Sequence, residues 1–97
     1  MLSEIYNTGK PEGFEQIDVK NIVLKYIPIG SNKEQVAATL KKLGCKDIIE
    51  EDNNKIFARY NWGQPLFDRD PRSAAMIFTF SADNQLIDIE AVYHKAQ

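Results

Sequence analysis

The chain is poor in the residues that carry cofactors, with one cysteine and one histidine among its 97 residues. A lone Cys excludes an internal disulfide, and one Cys with one His cannot complete a four-ligand zinc site without several carboxylates. Five glycines and four prolines are too few for a low-complexity or linker-like chain. Neither sign of charge dominates, because 12 Lys and Arg face 14 Asp and Glu for a formal charge of -2. Such a chain has no field to gather nucleic acid or anionic lipid, so direct contact with nucleic acid or membrane is not expected. No apolar run approaches the ~20 residues that span a bilayer. The opening Met1-Leu2-Ser3-Glu4-Ile5 has neither a basic stretch nor an apolar run of signal-peptide length, which predicts a cytoplasmic protein whose Cys45 stays reduced. What is present, 43% apolar and 27% charged residues, suits one small folded domain without cofactor or metal.

Residues 1–13 contain Asn7-Thr8-Gly9-Lys10-Pro11-Glu12-Gly13, turn formers without a period, and read as a mobile or lightly docked arm before a single domain over 14–97. Val19, Ile22, Val23, Tyr26 and Ile27 follow the spacing of one helical face, with Asp18 as N-cap and Pro28 as the stop. Ser31-Asn32-Lys33-Glu34 fits a capping box that starts a second helix at Ser31. Val36, Leu40 and Leu43 make its apolar stripe, and Gly44 supplies a left-handed C-cap. The two helices are expected to pair as an αα-hairpin.

Beyond Cys45 the period changes to two. Strands are predicted over Asp47 to Glu51, Ile56 to Trp62, Ser73 to Phe80 and Leu86 to His94, with turns at Asp52-Asn53-Asn54 and Ser81 to Gln85 and a long loop from Gly63 to Arg72. In the last strand Ile87, Ile89, Ala91 and Tyr93 form the apolar face. Helices followed by consecutive strands predict an α+β fold, two short helices packed on one face of a three- to four-stranded antiparallel meander. The opposite face is left open and carries Phe57, Arg59, Asn61, Thr79, Asp88, Glu90 and His94.

The run Ile29-Gly30-Ser31-Asn32-Lys33-Glu34-Gln35-Val36 with Leu40 and Leu43-Gly44, followed by Met76-Ile77-Phe78-Thr79-Phe80 and Leu86-Ile87-Asp88-Ile89-Glu90, resembles a known module. It is similar to the helix-helix-strand meander of the β-lactamase-inhibitor-protein-like repeats and of the small lipoproteins of the outer-membrane assembly machinery. The resemblance implies a binding or scaffolding protein, not an enzyme, in which the exposed sheet face covers another protein. Cys45 follows a helix end and is not an N-terminal lipid acceptor, so the resemblance does not extend to an envelope lipoprotein.

The candidate chemical groups favour contact over catalysis. His94 lies near Asp88 and Glu90 in sequence and is a conceivable general base, but no Ser or reactive Cys is tied to it by a motif. Cys45 follows a helix C-terminus, whose partial negative charge opposes a thiolate, and reads as a small buried hydrophobe. Asp47, Glu50, Glu51 and Asp52 lack the glycine and alternating ligands of a calcium loop and read as a solvated acidic edge. Trp62 and the loop residues Leu66, Phe67, Asp68, Arg69 and Asp70 are of the types in which binding energy concentrates. The expected function is a non-enzymatic inhibitor that is monomeric before binding, an immunity protein that covers the active site of a bacterial toxin. For a basic nuclease the acids of this chain would supply complementary charge. Partner contacts are expected from Phe57, Arg59, Asn61, Trp62, Leu66, Phe67, Asp68, Arg69, Asp70, Asp88, Glu90 and His94. A self-associating adaptor, and a small hydrolase using His94 with Arg59, Asp88 and Glu90, are the alternatives.

Overall fold

The structure, a computed structural model, describes residues 1–9, 11, 15–45, 47–51, 54–62 and 72–95. The elements run α1 (Leu2–Tyr6), β1 (Gln16–Asp18), α2 (Lys20–Tyr26), α3 (Lys33–Lys42), β2 (Asp47–Glu51), β3 (Lys55–Trp62), β4 (Arg72–Phe80) and β5 (Leu86–Lys95). The strands form one antiparallel sheet in the order β1-β5-β4-β3-β2. The α+β class is as expected, but the sheet has five strands where three to four were predicted. The additional strand is β1, whose Gln16, Ile17 and Asp18 pair with His94, Tyr93 and Val92. Three residues cannot display a period of two, and the pairing forms because β5 otherwise ends the sheet with an unpaired edge.

The segment read as an arm begins with a docked helix. Ile5 is fully buried and joins the core, while Thr8 donates its hydroxyl to the Ile5 carbonyl at the helix end. On the outer side of α1, Glu4 accepts from the Lys25 ammonium at 2.6 Å and from the Tyr26 hydroxyl. These two hydrogen bonds, Lys25 first, hold the Glu4 carboxyl below its usual range.

α2 is shorter than its periodicity suggests because residues 16–18 are taken by β1. Its N-cap is Val19 and not the expected Asp18, which β1 takes as its last residue; the Asp18 carboxylate accepts from the Lys20 backbone N–H at 2.9 Å. α3 starts one residue later than expected. Asn32 is the N-cap, accepting from the Glu34 N–H at 2.8 Å, and the Gln35 side chain accepts from the Asn32 N–H to complete the capping box. Ser31 is committed elsewhere: its carbonyl accepts from the Leu86 N–H, and its hydroxyl donates to the Pro28 carbonyl. We therefore expect Asn32→Ala to cost about 1 kcal/mol and Ser31→Ala under about 0.5 kcal/mol in urea unfolding. The reverse order would show that the cap is misassigned.

α3 ends in a Schellman motif. The Cys45 N–H bonds the Leu40 carbonyl and the Gly44 N–H bonds the Lys41 carbonyl, with Gly44 at φ +90 as the left-handed turn requires. α2 lies against β5 and α3 against β2, so each helix has the sheet, and not the expected αα-hairpin, as its principal partner. A sheet of five strands is about 24 Å wide, enough for two helices each roughly 10 Å across to cover different halves of it. Val19, Val23, Ile27, Val36 and Leu40 meet Ile56, Ala58, Met76, Phe78, Ile89 and Ala91 in one buried cluster.

The β4–β5 pairing carries an irregularity that corrects the predicted alternation. Thr79 pairs with Asp88 but Phe80 pairs with Leu86, which leaves Ile87 as the extra residue of a bulge. Leu86, Ile89, Ala91 and Tyr93 are therefore the buried set, and Ile87 is 55% exposed.

Candidate interaction surface

Every helix packs on the same side of the sheet, and strand register settles what the other side carries. On β3 the inward residues are Ile56, Ala58, Tyr60 and Trp62, so Lys55, Phe57, Arg59 and Asn61 face outward. Register then aligns the outer residues in rows across the sheet: Ile49, Phe57, Ile77 and Glu90; Arg59, Ala75, Val92 and Asp18; Asn61, Ser73, His94 and Gln16; Lys55, Thr79 and Asp88. The expected open-face residues Phe57, Arg59, Asn61, Thr79, Asp88, Glu90 and His94 thus share one surface. Its centre is apolar, with Phe57, Ala75, Ile77 and Val92 half-buried, and Ile49 on the edge strand β2 is 55% exposed.

Among the side chains that the structure describes, charge on this face is divided by strand, while the backbone register also sets Asp47 level with Arg59 and Glu51 level with Lys55. Lys55 and Arg59 stand on β3, whereas Asp88 and Glu90 stand on β5 and Asp18 on β1. Asp88 is paired with Lys20 of α2 at 3.0 Å. That ammonium, helped by the Ile89 backbone N–H, lowers the Asp88 carboxyl from its usual range. Beside this pair a groove of about 530 Å³ opens where β1 ends, lined by Gln16, Asp18, Lys20, Asp88, Glu90 and Val92 among others.

The residues of the hydrolase alternative do not converge. Along extended β5, His94 lies ~13 Å from Glu90 and ~20 Å from Asp88, and its row neighbours are Ser73 and Gln16. Its Nδ1 sits 3.1 Å from the Lys95 carbonyl. Cys45 is buried, and burial pushes its thiol pKa up, which removes the thiolate needed for nucleophilic chemistry. Among the described residues, no group of three His, Cys, Asp or Glu side chains is placed to hold a metal ion. No helix there is long and apolar enough to cross a membrane.

Trp62 stands on the covered face, opposite Phe57, Arg59 and Asn61. There it joins a ring cluster that motif reading did not anticipate, with centroid distances of 4.9 Å to Tyr60, 5.5 Å to Tyr93 and 5.6 Å to Tyr6. Arg72, only 5% exposed, lies against this cluster. It donates to the Tyr93 hydroxyl at 3.0 Å and stacks its guanidinium 4.8 Å from the Tyr6 ring centre. The inward alternation of Tyr60 and Trp62 was visible in the sequence, but nothing there brought Tyr6 or Arg72 to them. Leu66, Phe67, Asp68, Arg69 and Asp70 lie outside the described residues, as does Asp52 of the expected acidic edge.

No curated protein and no solved structure matches this chain. A family model matches residues 2–97, and the chain belongs to that family, the family of unknown function DUF6393.

Proposed function

We propose that this chain is a non-enzymatic protein-binding inhibitor, an immunity protein of the bacterial cytoplasm that neutralises a cognate toxin by covering its active site with the open face of the sheet. One observation carries the reading. A five-stranded sheet has its helices on one side only, and the uncovered side bears an apolar centre of Phe57 and Ile77, continued to the β2 edge by Ile49 and rimmed by Lys55, Arg59, Asp88 and Glu90. Apolar centre and charged rim are the anatomy of a protein interface, in which the centre supplies affinity and the rim supplies register and encounter rate. The likeness of residues 29–44 and the final hairpin to inhibitor proteins points the same way. A basic nuclease would meet the β5–β1 side of the face, where Asp18, Asp88 and Glu90 gather.

The experiment is co-expression with the product of the neighbouring gene, followed by affinity measurement. Binding and protection are expected, and Phe57→Ala should weaken binding about 30-fold, the equivalent of ~2 kcal/mol for a central aromatic anchor. Its circular dichroism should stay unchanged. A chain that neither binds nor protects removes the reading.

A further inference from the structure

We infer that the open face also seats a second copy of this chain, in a two-fold dimer where β3 of each copy lies over β5 of the other. Three charges of this face have no ion-pair partner among the described residues. The ion pairs among the described residues are Lys20–Asp88 and Lys25–Glu4, so Lys55, Arg59 and Glu90 enter none. All three are exposed and all face outward.

Their register is what selects the partner. Phe57, Ile77 and Glu90 share one row, and β4, carrying Ile77, runs between β3 and β5. Lys55 and Arg59 flank Phe57 on β3, each ~7 Å away along the strand. A two-fold axis lying along β4 in the interface plane exchanges β3 with β5 and keeps every row in place. Glu90 of the second copy then falls over Phe57, between Lys55 and Arg59, and Asp88 falls over Lys55, whose row it shares. Ile77 meets its own copy on the axis. Because a two-fold contact is isologous, each of these pairings is made twice.

The other two-fold arrangement, with the axis across the strands, places β3 over β3 and β5 over β5. Lys55 then faces Arg59 and Glu90 faces Glu90, an unfavourable array of like charges. The described charges of this face therefore discriminate between the two ways of closing it. Sheets packed face to face lie about 10 Å apart at about −30°, a gap that Phe57, Ile77 and Val92 suit in size. Strands of 3, 5, 8, 9 and 10 residues present a flat footprint on the order of 550 Å², which side-chain relief and the strand ends raise toward the ~800 Å² per partner of a standard interface. The inference departs from the monomer expected from the sequence, and it makes a foreign partner compete with the second copy for the same face.

The test is sedimentation equilibrium of the full chain from about 1 μM to about 1 mM, with two charge-reversed variants, E90K and the double variant K55E/R59E. The wild-type chain is expected to dimerise, and each variant alone to dissociate at least tenfold more readily. Mixed in equal amounts, the two variants restore the opposite-charge pairing on both sides of the axis and should form a heterodimer of near wild-type affinity. Circular dichroism checks that both variants fold, as exposed positions allow. A wild-type chain that stays monomeric throughout, or a mixture that associates no better than its components, overturns the inference. The outcome is separable from that of the proposed function. A dimer that captures no foreign protein sustains this inference and removes the other, and a monomer that captures a toxin does the reverse.

Discussion

Phe78→Ala lowers the unfolding free energy by about 3–5 kcal/mol, the range for deleting a buried phenyl ring. Phe78 has no exposed surface and sits on β4, the central strand, between Ile56 of β3 and Ile89 of β5. The cost has two parts. The ring loses its burial, and the void closes badly because neighbours on both flanking strands are held by the backbone ladder. A domain of this size has about 5–15 kcal/mol to lose, so a large share of its stability rests on this one ring. The neighbouring substitution Ile77→Ala, on the opposite face of the same strand, serves as the control and should cost under about 1 kcal/mol. Urea unfolding of both variants, at a concentration too low for copies to associate, makes the comparison. Equal losses would mean that the outer face is covered in the folded protomer.

Arg72→Ala is expected to destabilise the protein by about 2–4 kcal/mol, combining the loss of a charge-assisted hydrogen bond with that of a desolvated cation–π contact. Arg72 packs its guanidinium on Tyr6 and donates to the Tyr93 hydroxyl, and that hydroxyl in turn lies 3.4 Å from the Tyr6 carbonyl. One side chain thus ties α1 to β4 and β5. Arg72→Lys should recover little, because a compact ammonium cannot stack and donate along the same plane. Trp62 fluorescence provides a local readout, since Tyr6 and Tyr93 both contact that indole. A neutral Arg72→Ala variant with unchanged fluorescence would show that the aromatic cluster holds without the arginine.

Elements whose signals are local were legible along the chain. The α3 stripe of Val36 and Leu40 and its Gly44 stop follow from spacing and from the glycine that a left-handed turn favours. The outward set on β3 follows from alternation alone. Where local signals compete, the sequence does not separate neighbours: Ser31 and Asn32 are both competent caps, and the Ser31 pairing with Leu86 leaves the role to Asn32. Ile87 reads as part of an apolar face and is exposed, since a bulge is set by how two strands match and not by either strand alone.

The candidate surface divides in the same manner. That one face stays open was readable from the number of helices available, and Phe57, Arg59 and Glu90 were placed on it by alternation. Their rows were not readable, because register depends on which strands meet and at what offset. Those rows set Glu90 level with Phe57, and the strand order puts β4 between Lys55 and Arg59 on one side and Asp88 and Glu90 on the other.

Period and composition therefore settled the α+β class, one core and an uncovered sheet face, because each follows from the balance of apolar residues within a short window. Pairings between distant segments settled the rest: β1 on the edge of β5, Tyr6 on Arg72, and the arrangement of charge across the open face. Such pairings are chosen by the free energy of the assembled core, to which residues tens of positions apart contribute together, and no single window of the chain contains that sum.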